Sequence, residues 1–143
     1  MPTVTRTFPV AAPPTAVVAY LADFGNAEKW DPGTESCTRI DDGPLAVGAQ
    51  WRNVSKLMGA TTELTYTLKE LTDDTVKFEG VNKASTSTDH LTVRPHGEGS
   101  EITYRAVIDL HGVWKLADPV MKLFFERIAG EVVDNLTGEL GAP

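Results

Sequence analysis

Residues 118–140, DPVMKLFFERIAGEVVDNLTGEL, are a long helix-like segment that follows a run of strand-like segments. At about 100° per residue, the apolar side chains of this region fall on two different sectors of one helix. The first sector, which begins before the segment, holds Val113, Leu116, Ala117, Val120, Leu123, Phe124 and Ile128. The second, beyond Gly130, lies on the formerly polar side and holds Val132, Val133, Leu136 and Leu140. We therefore expect the helix either to kink at Gly130 or to cover two different surfaces.

The segment from Thr34 to His111 predicts one strand after another, separated by turns. The breaks fall at Asp41–Pro44, Met58-Gly59, Thr72–Asp74, Gly80–Ala84 and Pro95–Ser100. Apolar residues alternate most clearly in three strands, as Leu64, Tyr66 and Leu68, as Val76 and Phe78, and as Ile102, Tyr104, Ala106, Ile108 and Leu110. This pattern is typical of an antiparallel sheet with one wet face. We expect the C-terminal helix to cover the dry face, because no other large apolar element is available.

The beginning of the chain predicts a strand and two short helices. Thr3 to Ala11 alternates like a strand, and Pro13-Pro14 ends it. A helix follows from Thr15, and a second short helix, Asn26 to Trp30, ends at Asp31-Pro32-Gly33. The fold class expected from the whole chain is α+β, with residues 1–143 forming one domain.

Composition and charge narrow the range of partners. The chain has 143 residues and a formal net charge of −7, and its basic residues are scattered singly. Both features argue against nucleic acid and against anionic membrane surfaces. No apolar run is long enough to span a bilayer, and we expect no secretory signal at the start. The lone Cys37 fits a reducing compartment, so the sequence predicts a cytoplasmic protein whose oligomeric state it leaves open.

Several short motifs resemble one known superfamily in order and spacing. They are Pro14 to Asn26 with Tyr20-Leu21-Ala22-Asp23-Phe24, Trp30-Asp31-Pro32-Gly33, Val47-Gly48-Ala49 with Trp51, Ser87-Thr88-Asp89, Thr103–Ala106 and Asp109–Gly112. Together they resemble the START-like (SRPBCC) superfamily in its polyketide cyclase/dehydrase branch, a large group of bacterial proteins. The resemblance covers essentially the whole chain. It implies the helix-grip fold, in which a curved antiparallel sheet of about seven strands surrounds a long C-terminal helix.

The resemblance also implies an apolar cavity between the sheet and that helix. Members of the superfamily bind lipids, sterols, polyketides, quinones and other hydrophobic metabolites, and some are cyclases. Strand alternation predicts the residues on the concave face, and the helix sector predicts those that close it. The predicted ligand-binding residues are Trp51, Asn53, Leu64, Tyr66, Phe78, Asp89, Leu91, Tyr104, Ala106, Ile108, Leu116, Val120, Phe124, Arg127 and Ile128. Ser55, Leu57, Leu68, Val76, Val93 and Leu110 share the predicted concave face.

Asp89 is the main candidate for chemistry. If Leu91 points inward, the two-residue period of a strand places Asp89 and Ser87 on the same inner face. A buried carboxylate has a raised pKa and suits a general base, with Tyr66 or Tyr104 as a partner. The alternative is that Asp89 lies at a strand end and accepts hydrogen bonds from a turn.

The remaining polar and aromatic candidates have ordinary structural alternatives. Arg127 and Glu131 form an i,i+4 pair that either reaches one end of the cavity or stays in solvent. Trp30 is expected to anchor the short helices, with Asp31 fixing the turn, whereas Trp51 fits either the cavity wall or the core. His111 could reach the cavity mouth, but a loop position is expected for it. Cys37 is expected to be an unreactive thiol. We expect neither a metal site nor a bound cofactor.

Three functions remain open from the sequence. The first is binding of a small, largely apolar molecule such as a lipid, polyketide, quinone or aromatic metabolite. The second is a polyketide cyclase or dehydratase that uses acid–base groups in the same cavity. The third is an interaction module whose contact is the patch Val132, Val133, Leu136 and Leu140.

Overall fold

A computed structural model describes residues 1–57 and 59–143, without the side chain of Leu57. The predicted break at Met58 and the predicted inward position of Leu57 lie outside the described residues. In chain order the elements are β1 (Thr3–Val10), α1 (Pro14–Ala22), a 3₁₀ turn (Phe24–Asn26), α2 (Ala27–Trp30), β2 (Thr34–Arg39), β3 (Gln50–Leu57), β4 (Ala60–Leu71), β5 (Thr75–Val81), β6 (Ser85–His96), β7 (Gly99–Leu110), a 3₁₀ segment (Gly112–Ala117) and α3 (Asp118–Leu140). Across the described ranges, every helix falls short of the length and apolarity that crossing a membrane requires.

The strands form one antiparallel sheet of seven strands, in the order β1-β7-β6-β5-β4-β3-β2. Strands β2 to β7 follow one another as hairpins, whereas β1 and β2 lie at opposite edges of the sheet. Strand β1 pairs with β7, from Thr3 opposite Val107 to Val10 opposite Ser100. The predicted fold is confirmed: the long helix α3 and the short helices α1 and α2 accompany this sheet as the helix-grip fold requires.

Strict alternation of burial along β6 and β7 gives the sheet one dry face. The dry face carries an aromatic cluster in which the ring centroid of Phe24 lies 4.4 Å from that of Tyr66, 4.4 Å from that of Phe78 and 6.1 Å from that of Trp51. Trp30, at the end of α2, packs edge-on against Phe24 at 6.1 Å and against Tyr104 at 6.2 Å. Trp30 therefore anchors the short helices onto the sheet, as predicted.

Helix α3 buries a different stripe from the one predicted. Its buried or half-buried inner face is a single line at helical spacing, made of Met121, Phe125, Ile128, Ala129, Val132, Leu136 and Leu140. The large apolar side chains of the other stripe face solvent, namely Val113, Trp114, Leu116, Val120 and Leu123. Of the two alternatives predicted for this helix, that of two covered surfaces was wrong, because its first turns carry apolar residues on both sides and only one side meets the sheet.

This arrangement also removes the predicted interaction patch. Val132 and Leu136 are fully buried, and Leu140 is 9% exposed, so these side chains belong to the core. Val133 is half-buried and packs against the same core. An interaction module with this patch as its contact surface is therefore not compatible with the fold.

Gly130 lies in unbroken helix, is exposed and has open space where a Cβ would be. We expect Gly130→Ala to raise the free energy of unfolding by about 0.5–1 kcal/mol, because glycine lowers helix propensity and restricts the unfolded chain least. Urea unfolding of the variant measures this change. Gly138→Ala, at an equally open helical position, is the matched control and should also be stabilising. Loss of stability in Gly130→Ala alone would instead indicate that glycine is needed as a hinge.

Candidate ligand-binding cavity

The dry face of the sheet and the first half of α3 enclose a partly open cavity of about 60 Å³. That is far below the hundreds of Å³ typical of drug-sized ligand sites. The walls combine apolar side chains with a concentrated set of polar groups. The lining residues are Val4, Asp31, Gly33, Ser55, Leu64, Tyr66, Ser85, Ser87, Asp89, Tyr104, Ala106, Ile108, Phe125 and Ile128.

Asp89 lies in the middle of β6, opposite Phe78 of β5 and Ala106 of β7. Its side chain faces the cavity and is only 7% exposed, so the alternative of a strand-end turn was wrong. The Tyr104 hydroxyl donates to its Oδ1 over 3.4 Å. Burial, and secondarily the charge of Asp31, raise the pKa of Asp89 to about 7, while the hydrogen bond from Tyr104 opposes this rise. The carboxyl group is therefore poised between its two protonation states near neutral pH.

Asp31 brings a second carboxylate to the cavity from the turn after α2. Its Oδ1 accepts from the Gly33 backbone N–H at 3.1 Å, and its Oδ2 accepts from the Thr34 hydroxyl at 2.8 Å. Asp31 therefore fixes the Asp-Pro-Gly turn, as predicted. Burial raises the pKa of Asp31, and the bonds from Thr34 and Gly33 oppose the rise. Both of its oxygens are already engaged, whereas in Asp89 only Oδ1 is.

A chain of hydrogen bonds connects Asp31 to the far wall of the cavity. The Thr34 hydroxyl that donates to Asp31 accepts from Asn53 Nδ2 at 3.1 Å, and Asn53 Oδ1 accepts from the Ser55 hydroxyl. Asn53 is 1% exposed and lies behind the wall, and Ser55 faces the cavity. Asn53 therefore positions β2 against β3. Contrary to the prediction, it does not line the cavity.

A glycine on the neighbouring strand makes room for the ring of Tyr66. Gly80 of β5 lies opposite Tyr66 of β4, and a Cβ added at Gly80 would lie 2.5 Å from the Tyr66 Cζ atom. Gly80 was predicted as the start of a turn, but β5 continues to Val81 and leaves this position without a side chain so that the ring fits. Burial first, and then the charge of Asp89, raise the pKa of both Tyr66 and Tyr104 well above the usual range, so both phenols are neutral donors.

The structure brings together about half of the predicted ligand-binding residues. Those that line the cavity are Leu64, Tyr66, Asp89, Tyr104, Ala106, Ile108 and Ile128. Trp51, Phe78 and Leu91 are fully buried in the core beside it, which decides between wall and core for Trp51. A role in ligand contact stays a prediction for the seven that line the space.

Four predicted residues on or beside α3 do not line the cavity. Leu116 is 87% exposed and Val120 is 54% exposed, because both belong to the outward stripe. Arg127 is also exposed, as is Glu131, so this pair does not enter the cavity. Phe124 is half-buried and packs with Ile108, Leu110 and Met121 at the edge of the cavity.

Sequence reasoning missed Val4, Asp31, Gly33, Ser85 and Phe125 as cavity residues. A search for one continuous stripe along α3 would have found Phe125, which lies four residues after Met121 and before Ala129. Ser85 follows from extending the inner-face period of β6 back from Asp89. Asp31 and Gly33 carry no such signal, because an Asp-Pro-Gly turn looks like an exposed loop.

His111 and Cys37 have structural roles outside the cavity. His111 Nε2 lies 3.0 Å from the Thr86 hydroxyl, and Nδ1 lies 3.2 Å from the Lys83 carbonyl. These hydrogen bonds stabilise the β5–β6 turn. Burial raises the pKa of the Cys37 thiol to about 12, and the thiol is 5% exposed. A protonated, buried thiol is a poor nucleophile, in agreement with the prediction.

A second, more open hollow lies between α1 and the β4–β5 turn. It is lined by Val18, Ala19, Leu45, Leu71 and Val93 among others, and it measures about 880 Å³. The nearby Asp74 carboxylate is exposed and already accepts from the hydroxyls of Thr72 and Thr75. The smaller cavity is therefore the better ligand site, because the carboxyl group of the buried Asp89 and the phenols of Tyr66 and Tyr104 converge on it.

The family model described as polyketide cyclase / dehydrase and lipid transport matches residues 1–141. None of the curated proteins matches the chain in sequence. Three solved structures illustrate its structural relatives. The protein TTHA0849 from Thermus thermophilus is 15% identical, with 97% of each chain covered and a TM-score of 0.81. A START superfamily protein from Mycobacterium smegmatis is 13% identical, with 96% of each chain covered and a TM-score of 0.80. The Zhui aromatase/cyclase from Streptomyces sp. R1128 is 15% identical, with 96% of this chain and 92% of that chain covered and a TM-score of 0.80.

Proposed function

This chain belongs to the polyketide cyclase / dehydrase and lipid transport family, and from that premise we propose that it binds a compact, amphipathic molecule in the cavity between the sheet and α3. The observation that carries the proposal is the cavity wall, where the buried Asp89 and Tyr104 face a small space framed by Leu64, Ala106 and Ile128. Apolar walls with a few convergent polar groups are the usual form of a small-molecule site.

The size of the cavity refines the expected ligand. A lipid, quinone or polyketide needs several times the 60 Å³ of free space, and would require Phe125 and Ile128 to move outward with α3. A molecule of a few non-hydrogen atoms fits without that movement. We therefore propose a compact ligand, in place of the larger apolar ligands that the sequence suggested.

Filling the cavity tests this proposal. Ala106 lies opposite Asp89 on the cavity wall, and Ala106→Val adds two methyl groups to the free space without adding a polar atom. Against a panel of compact alcohols, phenols, amines and acids, we expect at least one class to raise the melting temperature of the wild-type protein. The same class should bind Ala106→Val at least about tenfold more weakly, because the added methyl groups occupy its place. Native mass spectrometry and thermal shift measure both effects.

The matched control is Val107→Leu, an enlargement on the opposite face of the same strand. It should retain the ligand response. The proposal is contradicted if Ala106→Val responds like the wild-type protein, or if lipids and polyketides stabilise the wild-type protein while compact molecules do not.

A second candidate, a cyclase or dehydratase, is favoured by one observation. Asp89 has a pKa of about 7 and accepts a hydrogen bond from Tyr104, and a general base is most effective when its pKa is near the working pH. An Asp89→Asn variant separates the two roles. If the protein is an enzyme, the variant loses its general base and its turnover falls. If the protein only binds its ligand, there is no turnover for the substitution to change. The third hypothesis, an interaction module, is not proposed, because its contact residues are in the core.

A further inference from the structure

The side chains that can bring a charge to the cavity at neutral pH are carboxylic acids. Asp31 and Asp89 both line it, and none of the described residues that line it is a lysine, arginine or histidine. Burying a carboxylate without a counter-charge is unfavourable, because the protein interior solvates an ion poorly. Two such groups in one cavity therefore favour a ligand that brings a positive charge.

The two carboxylates differ in how well they are satisfied. Asp31 accepts one hydrogen bond on each oxygen, from Gly33 and from Thr34. Asp89 is 7% exposed and accepts a single long bond, on Oδ1, so its Oδ2 has no donor within the described part of the chain. Buried acceptors are normally paired, and the Asp89 carboxylate faces the cavity. A ligand that donates a hydrogen bond is thus expected to do so at Asp89.

We propose that the ligand of this cavity carries a protonated amine, whose ammonium group donates to Asp89 and lies against the rings of Tyr66 and Tyr104. This inference rests on the proposed function, since it names the chemical class of the molecule that the cavity takes. An ammonium group supplies both a counter-charge and several hydrogen-bond donors. Aromatic rings add a further attraction for cations through their faces.

Among the described residues that line the cavity, no element packed around Asp89 brings a positive charge to it. The turn after α2 contributes the Asp31 carboxylate, β4 and β7 contribute the neutral phenols of Tyr66 and Tyr104, and α3 contributes only the apolar Phe125 and Ile128. A neutral alcohol offers one hydrogen bond and no charge. A carboxylate ligand would add a third negative group and be repelled.

Three probes of one size test the proposal. n-Propylamine, 1-propanol and propionate share a three-carbon chain and differ in charge. At pH 8.5, where Asp89 is ionised, we expect n-propylamine to bind at least about tenfold more tightly than 1-propanol and propionate not to bind. At pH 5.5, where Asp89 is protonated, the advantage of the amine should shrink to about twofold or less. NMR titration of the backbone amides of Asp89 and Ala106, and of the buried Trp30 indole, measures the affinities.

Two variants complete the test. Asp89→Asn keeps the size of the side chain and should reduce the preference for n-propylamine at pH 8.5 to the level that the wild-type protein shows at pH 5.5. Asp109→Asn makes the same change at a position on the other face of the sheet and should keep the preference. If 1-propanol binds and the amine has no advantage, or if Asp89→Asn keeps the preference, the amine inference fails and the proposed function stands. If none of the three probes shifts these resonances, both are overturned.

Discussion

At pH 8, the Asp89→Asn variant is expected to be more stable than the wild-type protein by up to about 4 kcal/mol in free energy of unfolding. The pKa of Asp89 is about 7 in the folded chain, against 3.8 for an ordinary aspartate. At about 1.4 kcal/mol for each pH unit, that difference gives the upper value. Asparagine has nearly the same shape and still accepts the bond from Tyr104, but it carries no charge that must be buried.

The sign of the effect depends on pH. Between about pH 4 and pH 7 the folded wild-type chain holds a proton on Asp89 that the unfolded chain has released. The free energy of unfolding therefore falls as pH rises through this range, by linkage. The two proteins should be about equally stable near pH 4. The advantage of the variant in free energy of unfolding should then increase up to pH 8. Urea unfolding at pH 4, 6 and 8 measures the difference.

Asp109→Asn is the control for this experiment, because Asp109 lies on the wet face and its side chain is 41% exposed. Its effect should stay within about 0.5 kcal/mol at every pH, as is usual for surface substitutions. A difference between Asp89→Asn and the wild-type protein that is the same at pH 4 and pH 8 would mean that Asp89 is not the titrating group.

Gly80→Ala is expected to lower the free energy of unfolding by about 1–3 kcal/mol, the usual range for overpacking a core. The new methyl group would meet three carbons of the Tyr66 ring at 2.5–2.7 Å. Because the ring packs at 4.4 Å from Phe24 and lines the cavity, its displacement should also weaken ligand binding. Urea unfolding and the NMR titration report the two effects separately.

A double-mutant cycle assigns the cause of this effect to Tyr66. Tyr66→Ala alone removes a large buried side chain and is itself destabilising. In that background, Gly80→Ala should cost nothing or stabilise slightly, since the clash is gone and alanine suits a strand better than glycine. An equal cost in both backgrounds would show that Gly80 is required for a reason other than the ring.

The strands were predictable because burial on one face imposes a two-residue period that the sequence displays directly. Asp89 illustrates this, since the inward position of Leu91 was enough to place it on the cavity face. Gly80 shows where the same reasoning fails. A glycine predicts a turn by its own conformational freedom, but here it serves the side chain of another strand, and only the pairing of β4 with β5 reveals that.

The helix and the cavity were less predictable for related reasons. Two apolar stripes run along the first turns of α3, and only packing against the sheet selects Met121 and Phe125 over Val120 and Leu123. The free volume of the cavity depends on how far that helix approaches the sheet, which no local pattern encodes. Asp31 entered the cavity through a turn whose residues are those of an ordinary surface loop.

The pairing of β1 with β7 has a consequence for how the protein is made. Thr3 pairs with Val107, and the Ala11 and Ala12 N–H groups donate to the carbonyls of Gly141 and Leu140 at 2.9 and 3.0 Å. On the ribosome, β1 emerges before the other six strands and has no partner until β7 emerges, roughly 5–20 s later at ordinary rates of synthesis. The hairpins from β2 to β7 form locally in that interval, whereas the first strand stays an unpaired edge. Of the seven strands, β1 is therefore the one that stays unpaired longest in the nascent chain, and this is where a chaperone has most to protect.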